Sequence, residues 1–201
     1  MNPRLRRLQS DYDLVREVYS GHRYVTIEPL GSRMPPESYR VEFRLRGLHL
    51  NGDQPDYRDV HHAEIMLPLH YPAERPLIVP LAPIFHPNIG DYFCIADYWA
   101  AGTTLADVVN KLGDMIQWRV YNPASPLDAL AARWAIEQEP TGLFPIGDVD
   151  LGVPEVAIQV RSREPASLKP IGARDGLGLI EPDGPDDEEP IVLLRSRDGL
   201  R

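Results

Sequence analysis

Cys94 is the only cysteine in the chain, and it follows a His86-Pro87-Asn88 triplet within the segment IFHPNIGDYFCIADYW, residues 84–99. A cysteine thiolate is a strong nucleophile toward carbonyl and thioester carbon. An asparagine amide held by a proline-fixed turn can donate a hydrogen bond to the oxyanion that develops there. The pairing suits acyl transfer. Residue type alone points the other way, because free cysteine is among the most buried residues and Cys94 lies among Phe93, Ile95 and Tyr98.

The elements that would position these residues can be read from periodicity. Residues 3–19 read as an amphipathic helix, with Asn2 as N-cap, Pro3 in the first turn and Gly21 just past the end. Its apolar stripe is Leu5, Leu8, Tyr12, Val15 and Tyr19. Residues 24–28 form a short strand, and residues 39–46 alternate, with Tyr39, Val41, Phe43 and Leu45 on one face and Arg40, Glu42, Arg44 and Arg46 on the other. Asn51-Gly52-Asp53 signals a turn. Residues 60–69 and 77–84 supply a third and a fourth strand, the last interrupted by Pro80 and Pro83. Thr104 and Asp107 fit a capping box opening a helix to about Arg119, with Leu105, Val108, Leu112 and Ile116 buried. A final helix over 127–138 turns Leu127, Leu130, Ala131 and Trp134 inward. The fold class is α+β: a leading helix, a four-stranded antiparallel meander and C-terminal helices.

The 201 residues accommodate one domain, placed at 1–139, plus an appendage, 140–201, rich in Pro, Gly and acid including Asp183, Asp186, Asp187, Glu188 and Glu189. Two short β-like runs, 156–160 and 191–194, could pair with a sheet edge on this chain or a partner. A net charge of −9 argues against nucleic-acid binding. The sequence contains neither a long apolar run nor a charged-then-apolar leader, so a membrane partner is not expected and the cytoplasm is the expected compartment. A lone cysteine cannot form an internal disulfide or a thiolate zinc site. His61 and His62 point to opposite faces of a strand and cannot easily share an ion, so these and His70 read as surface or capped histidines and no metal is expected. Only Lys111 and Lys169 among the 21 basic residues are lysines. Coding bias toward arginine accounts for that, and an enzyme delivering acyl groups to amines also gains by presenting few amines.

Tyr71-Pro72, Pro76, an apolar strand, His86-Pro87-Asn88, Cys94, Trp99 and an amphipathic helix, in that order, resemble the ubiquitin-conjugating (E2) family over about residues 1–139. The resemblance implies the UBC fold and a route for the chemistry. Cys94 would take a ubiquitin-like protein from an E1-like activating enzyme as a thioester, and an amine on a protein target would then attack it. One thioester replaces another, so no cofactor is implied. Asn88 would position the active-site loop, stabilise the oxyanion, or both, while His86 and Pro87 would shape the turn. Family members help the incoming lysine lose its proton with an acid or polar group near the position of Ser125; here Asp97 or Asp91 could supply the charge instead, and turn-capping fits those two equally well. Arg4, Arg6 and Arg7 on the first helix become candidate E1 contacts, a solvated face being the plain alternative.

The chain departs from typical eukaryotic members in the shorter spacing from His-Pro-Asn to cysteine and in a Trp99 loop that reads Trp-Ala-Ala-Gly, where many carry a Ser-Pro-Ala that helps bind a RING-type ligase. These features look more like a bacterial E2 of the kind associated with antiphage conjugation systems. Two other readings compete. One is a catalytically inactive E2 variant serving as a binding scaffold, which the presence of Cys94 disfavours. The other is a cysteine hydrolase, which needs His86 as its base.

Overall fold

The computed structural model describes residues 2–152, and the two β-like runs at 156–160 and 191–194 lie outside the described residues. Helix α1, Pro3–Tyr19, starts where the Asn2 side chain accepts from the Arg4 N–H, with Pro3 in the first turn. Strands β1 (Val25–Pro29), β2 (Ser38–Phe43), β5 (His61–Met66) and β6 (Leu77–Pro80) form one antiparallel sheet in the order β1-β2-β5-β6. This is the expected four-stranded meander. Its register sets Ile27 opposite Val41, Tyr39 opposite Ile65, and Ile65 opposite Ile78, so one face is continuous with the core. The other face carries cross-strand charges such as Arg40 on Glu64 at 2.7 Å.

A separate two-stranded hairpin, β3 (Gly47–Asn51) and β4 (Gln54–Arg58), is inserted between β2 and β5. Alternating burial continues to Arg46, as the pattern requires, but the ladder ends at Phe43. Gly47 explains the break. A Cβ there would approach the Ile116 carbonyl oxygen to 2.7 Å and His61 Nε2 to 2.8 Å, so the chain crosses close to its neighbours and leaves the sheet. Gly52, at φ +61°, makes the hairpin turn signalled by Asn51-Gly52-Asp53.

Helix α2, Leu105–Ile116, opens on the Thr104–Asp107 capping box and buries Leu105, Val108, Leu112 and Ile116. Asp11 of α1 joins the two helices. It is 2% exposed, its Oδ2 accepts from Arg7 Nε at 2.6 Å and the Tyr71 hydroxyl at 2.5 Å, and its Oδ1 accepts from the Leu105 N–H at 3.0 Å. A carboxylate thus sits at the positive end of α2 while tethering α1. Arg7 extends the network by donating to the carbonyls of Ala101 and Thr103 in the loop after Trp99. Arg4 is likewise held, by Glu37 at 2.6 Å and the Pro68 carbonyl at 3.0 Å.

Helix α2 ends in an unusual way. The Trp118 N–H bonds the Met115 carbonyl and the Arg119 N–H bonds the Asp114 carbonyl, the two bonds of a Schellman motif. Trp118 itself occupies the left-handed position, φ +58°, that glycine normally takes. That conformation costs a non-glycine residue about 1–2 kcal/mol. Packing outweighs it, since removing a buried aromatic ring of this size costs about 3–5 kcal/mol. Trp118 stacks on Phe144 at 4.9 Å and meets Trp134 edge-on at 5.4 Å, forming a second cluster with Leu48, Phe85, Ala131 and Ala135.

Helix α3, Ala129–Gln138, is capped by Asp128 and buries Ala131 and Ala135. Leu127 and Leu130, expected to face inward, are 40% and 46% exposed. The helix begins two residues later than the pattern suggested and presents its alanines to the tightly packed aromatics. Residues 140–152, grouped with the appendage by composition, return to the domain. The buried Gln117 side chain donates to the Val149 carbonyl and accepts from its N–H, and Leu151 fills the space left by the missing side chain of Gly113. His61 is buried rather than at the surface, its ring bonded to the Arg58 carbonyl, whereas His62 is half-exposed beside Glu42.

Replacing Asp11 by Ala leaves the partly buried Arg7 without its carboxylate and the Leu105 N–H at the start of α2 without its acceptor. The expected loss is about 3–5 kcal/mol, the range for breaking a buried pair. Urea unfolding of Asp11→Ala tests this, and a loss below about 1 kcal/mol would contradict it.

Candidate functional site

The segment carrying Cys94 is a tight, apolar-anchored bend. Ile89 N–H bonds the His86 carbonyl, Phe93 N–H bonds the Ile78 carbonyl of β6 at 2.9 Å, and Cys94 N–H bonds the Asn88 carbonyl at 2.9 Å. Phe93 and Ile95, on either side of the cysteine, are buried. Cys94 is half-buried and lines a cavity of about 230 Å³. The same cavity is walled by Asn88, Asp97, Tyr98, Lys111, Asn122 and Ser125.

His86 sets the turn. Its ring is fully buried, Nδ1 accepts from the Asn88 N–H at 3.0 Å, and Nε2–H donates to the Val120 carbonyl at 3.2 Å. Burial is the main reason its proton affinity is pushed down, to about 3. With both nitrogens engaged, His86 has no lone pair to offer a thiol. This geometry opposes the hydrolase reading. The carbonyl of Pro87, next in the chain, accepts from the N–H groups of Leu127 and Asp128 at the start of α3.

The Asn88 carboxamide bridges two segments. Nδ2 donates to the Asn122 carbonyl at 2.9 Å and the Ser125 carbonyl at 3.2 Å, and Oδ1 accepts from the Asn122 N–H at 2.7 Å. Both amide hydrogens are committed to backbone oxygens. In this arrangement Asn88 positions the 122–125 loop and has no free N–H for an oxyanion.

The other sequence-derived residues divide. Asp97 and Ser125 line the Cys94 cavity. Asp91 instead borders a different cavity, between residues 79–84 and the start of α3. Of the candidate E1 contacts, Arg4 and Arg7 hold the fold together through the bonds given above, leaving Arg6 exposed. Lys111 and Tyr98 were missed. Lys111 lies at the edge of the α2 apolar stripe, and its Nζ is 5.1 Å from the centroid of the Tyr98 ring. Periodicity marks only the buried side of a helix, and the one available signal was the rarity of lysine. Among the described residues no cluster of three His, Cys, Asp or Glu side chains could hold a metal ion, and no helix is long and apolar enough to cross a membrane.

Two predictions follow from this geometry. Asn88→Ala should cost about 1–3 kcal/mol, because it strands the Asn122 N–H and two carbonyls, and Asn88→Asp should cost at least as much, because a carboxylate faces both carbonyl oxygens with nothing to donate. Urea unfolding of the two variants gives the ranking, and an innocuous Asp variant would contradict it. The second concerns pH. Burial lowers His86 to about 3 and His61 to about 4, while each takes up a proton near its ordinary value of about 6.5 once unfolded. Their contribution to stability is therefore complete above about pH 6.5 and is lost as pH falls through the window toward the folded values. The urea midpoint should be lower at pH 5 than at pH 7.5, with a smaller difference in His61→Gln; an unchanged difference in that variant would contradict the assignment for His61.

No protein-family model matches the sequence, and no curated protein matches it. Solved structures do. One described as a novel ubiquitin-conjugating enzyme superposes with a TM-score of 0.50 at 20% identity, covering 67% of this chain and 86% of that one. A second, described as a ubiquitin conjugating enzyme from Plasmodium yoelii, gives a TM-score of 0.50 at 17% identity over 70% of this chain and 88% of that one. The leading helix, antiparallel sheet and C-terminal helices of this protein are thus those of the ubiquitin-conjugating enzyme fold.

Proposed function

We propose that this protein is an E2-like conjugating enzyme: Cys94 accepts a ubiquitin-like protein from an E1-like activating enzyme as a thioester and passes it to an amine on a protein target. The observation that carries the reading is the placement of the single thiol, half-buried in a cavity whose walls are fixed by Asn88, on a fold shared with conjugating enzymes. The thiolate attacks the incoming thioester carbonyl, the E1 sulfur leaves, and the acyl group rests on Cys94. Asp97 and Ser125 line the space through which the acceptor amine reaches that carbon and loses its proton. Exposed Arg6 is the remaining member of the arginine set proposed to meet the E1. The short bend between Asn88 and Cys94 supports a bacterial setting, in a cytoplasmic antiphage conjugation system. The scaffold reading, an inactive variant that only binds the modifier or E1, gives no reason for a thiol in a cavity of this kind.

Mixing the protein with its cognate E1, ubiquitin-like protein and ATP should give an adduct on non-reducing gels that disappears with reductant and is absent in Cys94→Ala. Cys94→Ser should trap a slower, reductant-resistant ester. An adduct that survives Cys94→Ala would end the enzymatic reading.

A further inference from the structure

Both amide hydrogens of Asn88 are taken, so the oxygen of an acyl group on Cys94 must find its donor elsewhere in the cavity wall. That wall offers few. The Asn122 N–H goes to Asn88 Oδ1 at 2.7 Å, the Cys94 N–H goes to the Asn88 carbonyl at 2.9 Å, and the Tyr98 hydroxyl donates to the Asp107 carbonyl at 3.3 Å. The side chains of Asn122 and Ser125 can supply neutral donors. Among the described residues that line the cavity, Lys111 alone carries a positive charge.

Lys111 is half-buried on α2, and its ammonium rests over the Tyr98 ring, Nζ 5.1 Å from the centroid. Tyr98 lines the cavity as well, so the amine waits on the wall of the space that holds Cys94. Among the described residues no carboxylate forms a salt bridge with it, and Asp114, three residues further along α2, pairs with Arg119 at 3.5 Å. Its charge reaches the His86 ring behind the Asn88 turn, where it adds to the larger effect of burial in lowering proton affinity. A cation on an aromatic face is held weakly, and the flexible lysine stem lets it exchange that face for a full negative charge.

We propose that Lys111 is a catalytic residue, its ammonium donating a hydrogen bond to the oxyanion formed when the carbonyl carbon of an acyl group on Cys94 becomes tetrahedral. This rests on the reading of Cys94 as a thioester carrier. In loading, the Cys94 thiolate adds its electron pair to the incoming thioester carbon, and the carbonyl π pair moves onto oxygen. Lys111 Nζ–H meets that oxygen and keeps its proton. The C=O bond then re-forms, and the donor sulfur leaves with the pair of the broken C–S bond. In discharge an acceptor amine adds instead, its proton passes to Asp97 or solvent, and Cys94 leaves as thiolate. The tetrahedral carbon is bonded to Cys94 sulfur in both steps, so one cation serves both.

The test uses the full chain and two reagents for the same thiol. N-acetylglycylglycine, as its mercaptoethanesulfonate thioester, reacts by carbonyl addition; iodoacetamide reacts by displacement at saturated carbon and forms no oxyanion. In Lys111→Met, acylation of Cys94, read as hydroxylamine-labile mass, should slow about tenfold, below the range for a donor in a water-excluded site because solvent reaches a half-buried thiol. Alkylation in that variant should stay within about twofold of wild type, and discharge of the acyl group to ethanolamine should slow about as much as acylation does. Lys111→Arg, which keeps the charge, should recover most of both losses. Unchanged acylation in Lys111→Met, parallel slowing of acylation and alkylation, or an Arg variant as slow as the Met variant overturns the inference while leaving Cys94 as a carrier. A wild-type protein that iodoacetamide labels on Cys94 but the thioester does not overturns the carrier reading, and the inference with it.

Discussion

The site depends on how completely the polar groups of Asn88 are used. Its backbone N–H goes to His86 Nδ1, its backbone carbonyl to the Cys94 N–H, its amide hydrogens to the carbonyls of Asn122 and Ser125, and its amide oxygen to the Asn122 N–H. Each such bond contributes only about 1 kcal/mol net, but a buried partner left unpaired costs more than that. One residue therefore fixes the thiol's segment, the histidine behind it and the loop in front of it. The consequence is that Asn88 serves geometry, and charge developing on a substrate oxygen must be met by other groups. Ser125 and Lys111 line the same cavity.

The frame behind that joint is held by a buried carboxylate. Asp11 ties α1 to the first turn of α2 and, through Arg7, to the loop between Trp99 and Thr104. Because α2 brings Lys111 and Met115 to the cavity, this network helps set the wall they form. Arg4 and Arg7, which as a row of charges resemble a docking face, are parts of the fold. The C-terminal side of the site is set by aromatic packing: Trp118 accepts a strained backbone because Phe85, Trp134 and Phe144 surround its ring.

Much of this was legible in the chain. Alternation over 39–46, the Asn2-Pro3 start and the Thr104–Asp107 box each have a local physical cause, and local causes survive folding. The β3–β4 hairpin escaped because its burial does not alternate, Gly47 and Leu48 being buried together while most of the remaining residues are polar or exposed, so only its Asn51-Gly52-Asp53 turn left a mark. Leu127 and Leu130 misled because a helix packing against bulky aromatics buries its small residues, and Ala131 and Ala135 do so here. Gln117 and Leu151 show why composition placed residues 140–152 outside the domain: a few specific contacts, invisible to composition, bring the chain back. At the site, the order of His86, Asn88 and Cys94 was readable, whereas the commitment of both Asn88 amide hydrogens and the nearness of Lys111 are properties of three-dimensional placement.

The central claim is that the fold presents the Cys94 sulfur to solvent in a stable, open cavity. Timed carboxamidomethylation with iodoacetamide, without denaturant and with Cys94 quantified by peptide mapping, reads this directly. The account predicts stoichiometric modification of the folded protein at a rate within about tenfold of that in urea. A thiol that reacts only once the protein unfolds would contradict it.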